Sequence, residues 1–324
     1  MGYLQDGVWT EDRDRTKGGH FVRPNAVFRD WITPDGAAGP SGQGGFKAEP
    51  GRYHLYVSLA CPWAHRTVIF RKLKKLENAI SMSVTSWHMG KDGWTFDQAE
   101  GSSGDAVNGK EKLSEIYIAA EPRYTGRVSV PVLWDKQRKT IVNNESPEII
   151  RMLNSAFDEF TNDRTDYYPA ALRAEIDRIN DIVYPNINNG VYRTGFASAQ
   201  EAYEKAFRSL FDALDEIEQI LAERRYLAGD KVTEADWRLF PTLVRFDAVY
   251  YGHFKCNWRH IWEYPNLWNY TRELYQLPGI AETVSLEHIK RHYYGSQRHV
   301  NPTGIVPLGP QLDFAAPHDR ARLR

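Results

Sequence analysis

Around residue 61 the apolar side chains change their spacing, and that change limits what the chain can become. In "RYHLYVSLA" they alternate, which predicts a strand. From Pro62 onward Ala64 and Val68, then Ile69, Leu73 and Leu76, stand three or four apart. That spacing predicts an amphipathic helix with Arg71, Lys72, Lys74 and Lys75 outside. A second alternating run, "AISMSVTSW", puts Ile80, Met82 and Val84 on one side of another strand. A polar, glycine-rich stretch from about His88 to Gly109 follows, long enough to be a lid or a binding segment.

Next come a short helix in "KLSEIYIAA", a hairpin from "VSVPVLWD" and "KTIVNN", and a helix in "ESPEIIRMLNSAF" with Pro147 in its first turn. Strand, helix, strand, helix, strand, strand, helix is the thioredoxin-like order. Pro131 stands at the start of a strand, where proline is tolerated. From about residue 170 the pattern is helical. "AFRSLFDALDEIEQIL" keeps Phe207, Leu210, Phe211, Leu214, Ile217 and Leu221 on one face, and Thr233 with Asp236 makes a capping-box variant. A chain of 324 residues suggests about two domains. The expected architecture is an extended arm over 1–50, an α/β thioredoxin-like domain over 51–165, an all-α domain over 166–295 and an extended tail over 296–324.

A formal charge of −1, with both signs mixed along the chain, argues against nucleic-acid or membrane-surface partners held by bulk charge. The first residues lack an apolar signal region, Asp6 spoils a myristoylation pattern, and no apolar run reaches the roughly 18 residues of a membrane span. The two cysteines, Cys61 and Cys256, form neither a CxxC pair nor a disulfide framework. A reducing, cytoplasmic setting is expected.

Cys61 falls on the strand-to-helix junction with Pro62 as the first helical residue. Helix N-termini carry unpaired N–H groups and partial positive charge, which favour the nucleophilic thiolate. His65 and Arg66, one turn on, add positive potential. The bland alternative is an inert cysteine, the reading that suits Cys256 in "HFKCNW". Three residues after Cys61 stands Ala64, not a second cysteine, so an external thiol such as glutathione must discharge any mixed disulfide. "RVSVP" (Arg127, Val128, Ser129, Val130 and Pro131) offers a strand edge for an extended tripeptide. Glu145 and Ser146 open a helix whose amides and Ser146 hydroxyl suit a γ-glutamyl carboxylate, with Glu145 for the ammonium; a plain helix cap is the alternative.

Together "CPWAHR", "DGWTF", "GRVSVPVLWD", "NNESPEI", "VYRTGFA", "FDAVYYGHFKCN" and "PGIAETVSLEHIKRHYYGSQRHVNPTGIVPLGP" resemble the cytosolic glutathione transferases. More closely they resemble the glutathionyl-hydroquinone reductase branch, the xi class. The resemblance covers nearly the whole chain and implies glutathione transferase architecture. It implies Cys61 as nucleophile, Trp94 packing on glutathione, Arg127 taking the glycyl carboxylate and Val128 supplying backbone bonds. Glu145 and Ser146 hold the γ-glutamyl end. Tyr192 is the implied proton donor, Tyr250 and Tyr293 depress the cysteine pKa, and Pro131 matches a cis-proline. A homodimer is implied as well. Without the resemblance the three tyrosines read as core and Arg127 as a surface charge.

The expected reaction reduces glutathionyl-hydroquinones through a Cys61–glutathione mixed disulfide and releases oxidised glutathione. Two alternatives compete with it: an omega-like thioltransferase or dehydroascorbate reductase, and a non-enzymatic ligand-binding module. Reductive dehalogenation is a related side activity. His288 and His292 have the i, i+4 spacing of zinc ligands, but no glutamate follows the first histidine, and no metal is expected.

Overall fold

The protein, seen here as a computed structural model, is described over residues 2–11 and 16–323. It divides into two compact units. One comprises Met1–Arg13, Pro24–Thr165 and Glu287–His292; the other comprises Asp14–Arg23, Asp166–Leu286 and Tyr293–Arg324.

The first unit opens with a hairpin of β1 (Gly2–Gln5) and β2 (Val8–Glu11). Its turn residues Asp6 and Gly7 have φ of 50° and 77°. Two positive values are what a two-residue hairpin turn needs, and Asp-Gly supplies them. The central elements follow in order: β3 (Tyr53–Val57), α1 (Pro62–Leu73), β4 (Ile80–Val84), the small hairpin β5 (Met89–Gly90) and β6 (Gly93–Trp94), α2 (Leu113–Ala120), β7 (Gly126–Arg127), β8 (Val132–Asp135), β9 (Thr140–Asn143) and α3 (Ser146–Ser155). The main sheet has the strand order β9-β8-β3-β4, with β3 and β4 parallel and the other neighbours antiparallel. This is the thioredoxin-like arrangement.

All five residues of β3 are buried, so the alternation seen in the sequence does not sort them into two faces. A central strand is covered on both sides, and its polar members need partners. His54 Nδ1 lies 2.7 Å from Ser81 Oγ, and the Tyr56 hydroxyl donates to Asp105 at 2.8 Å. Asp105 also accepts the main-chain N–H groups of Val107, Asn108 and Lys110, which ties the loop at 105–110 to β3.

Two sequence expectations need correction. Lys74, expected outside, is 1% exposed. Its ammonium donates to the carbonyls of Asp163 and Thr165 at 2.8 and 2.7 Å and lies 2.9 Å from the Asp158 carboxylate, which offsets the cost of burying the charge. The strand expected from Val128 begins only at Val132. Pro131 has no N–H to give to a ladder, and the Val130–Pro131 bond is cis.

The second unit is helical: α4 (Arg173–Val183), α5 (Gly190–Gly195), α6 (Gln200–Glu223), α7 (Glu234–Arg245), α8 (Pro265–Gln276) and the end of α9 (Leu286–Ser296). Leu210, Phe211, Leu214, Ile217 and Leu221 bury one face of α6. Each such side chain is worth roughly 1.5–3 kcal/mol. All twelve residues of α7 are buried. Its start is capped reciprocally, with the Thr233 N–H donating to Asp236 Oδ2 at 2.7 Å.

Candidate active site

Cys61 occupies the N-cap of α1, with φ −79° and ψ 122°, and Pro62 follows inside the first turn. Its carbonyl accepts the His65 N–H at 2.9 Å, the first bond of the helix. The half-buried thiol donates to the Val130 carbonyl at 3.6 Å, so the residue before the cis-proline borders the sulfur. Ionising the sulfur gives up that weak donor bond and gains the field of the helix N-terminus. His65 and Arg66 are 1% and 2% exposed. The Arg66 guanidinium donates to Ser146 Oγ at 3.4 Å, which carries its positive charge to the start of α3.

Glu145 is the N-cap of α3, yet its carboxylate makes no capping bond. The plain-cap alternative therefore does not describe it. Its N–H instead donates to Asn143 Oδ1 at 2.7 Å. The Asn143 amide also donates to Glu148 at 2.8 Å, and Arg29 pairs with the same carboxylate through both arms of its guanidinium. Glu145 and Ser146 thus sit on a helix start braced by Arg29, Asn143 and Arg66. Ser146 itself is 2% exposed.

Arg127, half-buried, closes the short strand β7, which pairs with β1. Val128 and Val130 are buried. The Tyr117 hydroxyl satisfies Ser129 on both sides, accepting its N–H at 3.3 Å and donating to its carbonyl at 2.8 Å. A peptide laid on this edge has to use the neighbouring residues. Trp94, expected in an irregular loop, stands in the hairpin strand β6 and is 6% exposed.

In the second unit Tyr192, Tyr250 and Tyr293 come together. The Tyr293 hydroxyl bonds the hydroxyls of Tyr192 and of Tyr250, the latter at 3.1 Å. Three phenols carry three protons, and two bonds among them use two, so one hydroxyl remains able to donate outward. Burial pushes the Tyr293 pKa well above its ordinary value; charge on Tyr250 adds to this, while Arg245 and the bond from Tyr192 oppose it. Phe21, Phe196 and Phe254 pack around the Tyr192 ring, and the Arg23 guanidinium lies 5.3 Å from its centre.

Sequence reasoning missed how this cluster is built. π-turns at Tyr184–Asn188 and Phe246–Tyr250 break the helical register just before Tyr192 and at Tyr250. Such turns are rare and recur at functional sites. Pro185 in the first was a visible signal. Cys256 is fully buried, and burial raises its thiol pKa far above the ordinary range, which leaves it inert. His288 and His292 both lie against the 87–101 stretch of the first unit. Among the described residues no group of three His, Cys, Asp or Glu side chains is disposed to hold a metal ion.

The family model for the glutathione S-transferase N-terminal domain matches residues 60–156, and that for its C-terminal domain matches residues 200–273. Glutathionyl-hydroquinone reductase YqjG of Escherichia coli K12 is 54% identical over 99% of this chain and 98% of its own length. Its glutathione-bound structure superposes with a TM-score of 0.92 at 53% identity, covering 99% of each chain. Glutathionyl-hydroquinone reductase PcpF of Sphingobium chlorophenolicum is 55% identical over 96% of each. A xi-class transferase from Natrialba magadii superposes with a TM-score of 0.91 at 49% identity, over 100% of this chain and 97% of that one. With such coverage and identity, the chain belongs to the glutathionyl-hydroquinone reductases, the xi class of the glutathione transferase family.

Proposed function

We propose that this protein reduces glutathionyl-hydroquinones to hydroquinones at the expense of glutathione, with Cys61 as nucleophile. The observation that carries the reading is Cys61 on the N-cap of α1 with Ala64, not a cysteine, three residues on. The relatives named as glutathionyl-hydroquinone reductases support it.

The Cys61 thiolate attacks the sulfur of the aryl thioether. A Cys61–glutathione disulfide forms, the carbon–sulfur bond breaks, and its electron pair stays on the ring carbon. That carbon takes a proton from Tyr192, resupplied along the Tyr192–Tyr293–Tyr250 chain. Glutathione then attacks the mixed disulfide, leaves as oxidised glutathione, and returns one proton and the Cys61 thiolate. Atoms and electrons balance: the thioether and one glutathione become the hydroquinone and one disulfide.

Glutathione is held by Trp94 packing against it, by Arg127 on the glycyl carboxylate, by the backbone of Val128 and Val130 on either side of Ser129, whose own backbone groups bond Tyr117, and by Glu145 and Ser146 at the γ-glutamyl end. Tyr250 and Tyr293 lower the cysteine pKa. The working form is a cytoplasmic homodimer. Among the described residues no helix is long and apolar enough to cross a membrane. The test is turnover of a glutathionylated hydroquinone with and without glutathione. Ping-pong kinetics are expected, and full turnover in Cys61→Ala contradicts the scheme.

A further inference from the structure

Trp94 is 6% exposed. A ring so covered offers a ligand its rim, and the direction of a rim depends on what fixes the ring's plane. Its backbone is well held. Trp94 pairs with Met89 across the small hairpin. Gly93 before it has φ +71°, and a Cβ there would stand 2.6 Å from the Trp9 ring. The Trp9 indole N–H donates to the Lys91 carbonyl at 2.8 Å. A held backbone leaves the side-chain torsions open.

His292 lies on the plane of the ring. Its imidazole stacks on the Trp94 indole with centroids 4.7 Å apart and planes 23° from parallel. His292 is 5% exposed, and its Nδ1 lies 3.0 Å from the Trp87 carbonyl oxygen, so Nδ1 carries the proton and donates. The Trp87 N–H in turn donates to the Glu100 carbonyl at 3.0 Å, and the Arg291 guanidinium lies 5.1 Å from the Trp87 ring centre. α9, through Arg291 and His292, therefore clamps the segment that carries Trp94. The i, i+4 histidine spacing that looked like a metal motif is accounted for, with His288 against Gly101 one turn earlier.

We infer that His292 is a positioning residue for Trp94: it orients the indole and so sets the affinity for glutathione, without touching the reacting atoms. The inference rests on the proposal that Trp94 packs against glutathione.

The test compares wild type, His292→Gln, His292→Phe, Trp94→Ala and the Trp94→Ala/His292→Gln double variant. Glutathione Kd is measured by calorimetry, which needs no turnover, and kcat separately with a glutathionylated hydroquinone. Losing an aromatic stack is worth about three- to ten-fold in Kd. His292→Gln keeps a donor and loses the stack, so Kd rises by that factor while kcat changes less. His292→Phe restores the stack and brings Kd back to within about two-fold of wild type. The double variant binds no more weakly than Trp94→Ala alone. An unchanged Kd in His292→Gln, or full multiplication of the two effects in the double variant, overturns the positioning role. Should His292→Gln fail to fold, His292→Leu carries the same expectation. Failure of wild type to turn over the aromatic thioether counts against the proposed reaction alone, because Kd is read independently of it.

Discussion

Tyr192 and Tyr293 differ in what each can lose. Tyr293 sits in the middle of the hydroxyl chain, bonded to both neighbours. Tyr192 is an end of it, and the proposal makes it the group that gives a proton to the departing ring carbon. Tyr192→Phe should lower kcat on a glutathionylated hydroquinone by about 10²–10⁴-fold, the range for a general acid. Reduction of a small aliphatic mixed disulfide, whose leaving thiolate needs no such acid, should stay within a few-fold. Equal losses on both substrates would favour the thioltransferase reading.

Asp247 offers a separate test at the same scale, on stability. Burial pushes its pKa up to about 7, against the main-chain N–H bonds from Ile261 and Trp262, with the charge of Glu263 adding to the rise. Unfolded, the carboxyl titrates near about 3.9. Between those values the folded chain keeps a proton that the unfolded chain has released. Stability contributed by this group is therefore present at low pH and lost as pH rises through the window, by up to about 1.4 kcal/mol per pH unit. Asp247→Asn keeps an acceptor and cannot ionise. Its melting temperature relative to wild type should climb from pH 5 to pH 8; parallel profiles would contradict the assignment.

At the scale of elements, the switch at Cys61, the β8–β9 hairpin and the long α6 were legible because each bears its own period or punctuation. The Asp6-Gly7 turn carried an equally plain signal that passed unread inside a glycine-rich arm. The π-turns were not legible, since inserting a residue into a helix depends on what packs around it. Buried charges misled for a related reason: Lys74 looks like a surface lysine until the carbonyls of Asp163 and Thr165 are brought to it.

Arg320 repeats the lesson in the tail. It is fully buried, and its guanidinium donates to the carbonyls of Leu221, Arg224 and Arg225 at 2.6, 2.5 and 2.7 Å. The Leu221 carbonyl lies in the last turn of α6, which cannot satisfy it, and those of Arg224 and Arg225 lie at and just past the helix end. Arg320→Leu strands them, and hydrogen bonds to a charged group are worth about 1.5–3 kcal/mol each. A loss of about 3 kcal/mol in urea unfolding is expected. A loss below about 0.5 kcal/mol, the level of an ordinary surface change, would contradict the cap. Thr233→Ala, which removes one half of the box that starts α7, should cost about 1 kcal/mol.

At the scale of the whole molecule, the residues of the proposed reaction are divided between the two units. The first carries the sulfur, the helix start at Glu145 and the Trp94 hairpin; the second carries the phenols. The roles proposed for Cys61, Glu145 and Ser146 followed from where residue types fall along the chain. Those of Tyr192, Tyr250 and Tyr293 did not, since three tyrosines among 18 have no local mark, and only their resemblance to a family singled them out. The proposed reaction turns on a covalent intermediate at one sulfur.

That intermediate can be looked for directly. Protein mixed with a glutathionylated hydroquinone and no free glutathione, quenched in acid and mapped by peptide mass spectrometry, should carry one glutathione on Cys61 and none on Cys256. Hydroquinone should appear in equal amount, and added glutathione should discharge the adduct. Product formed with Cys61 unmodified throughout, or turnover undiminished in Cys61→Ala, would contradict it.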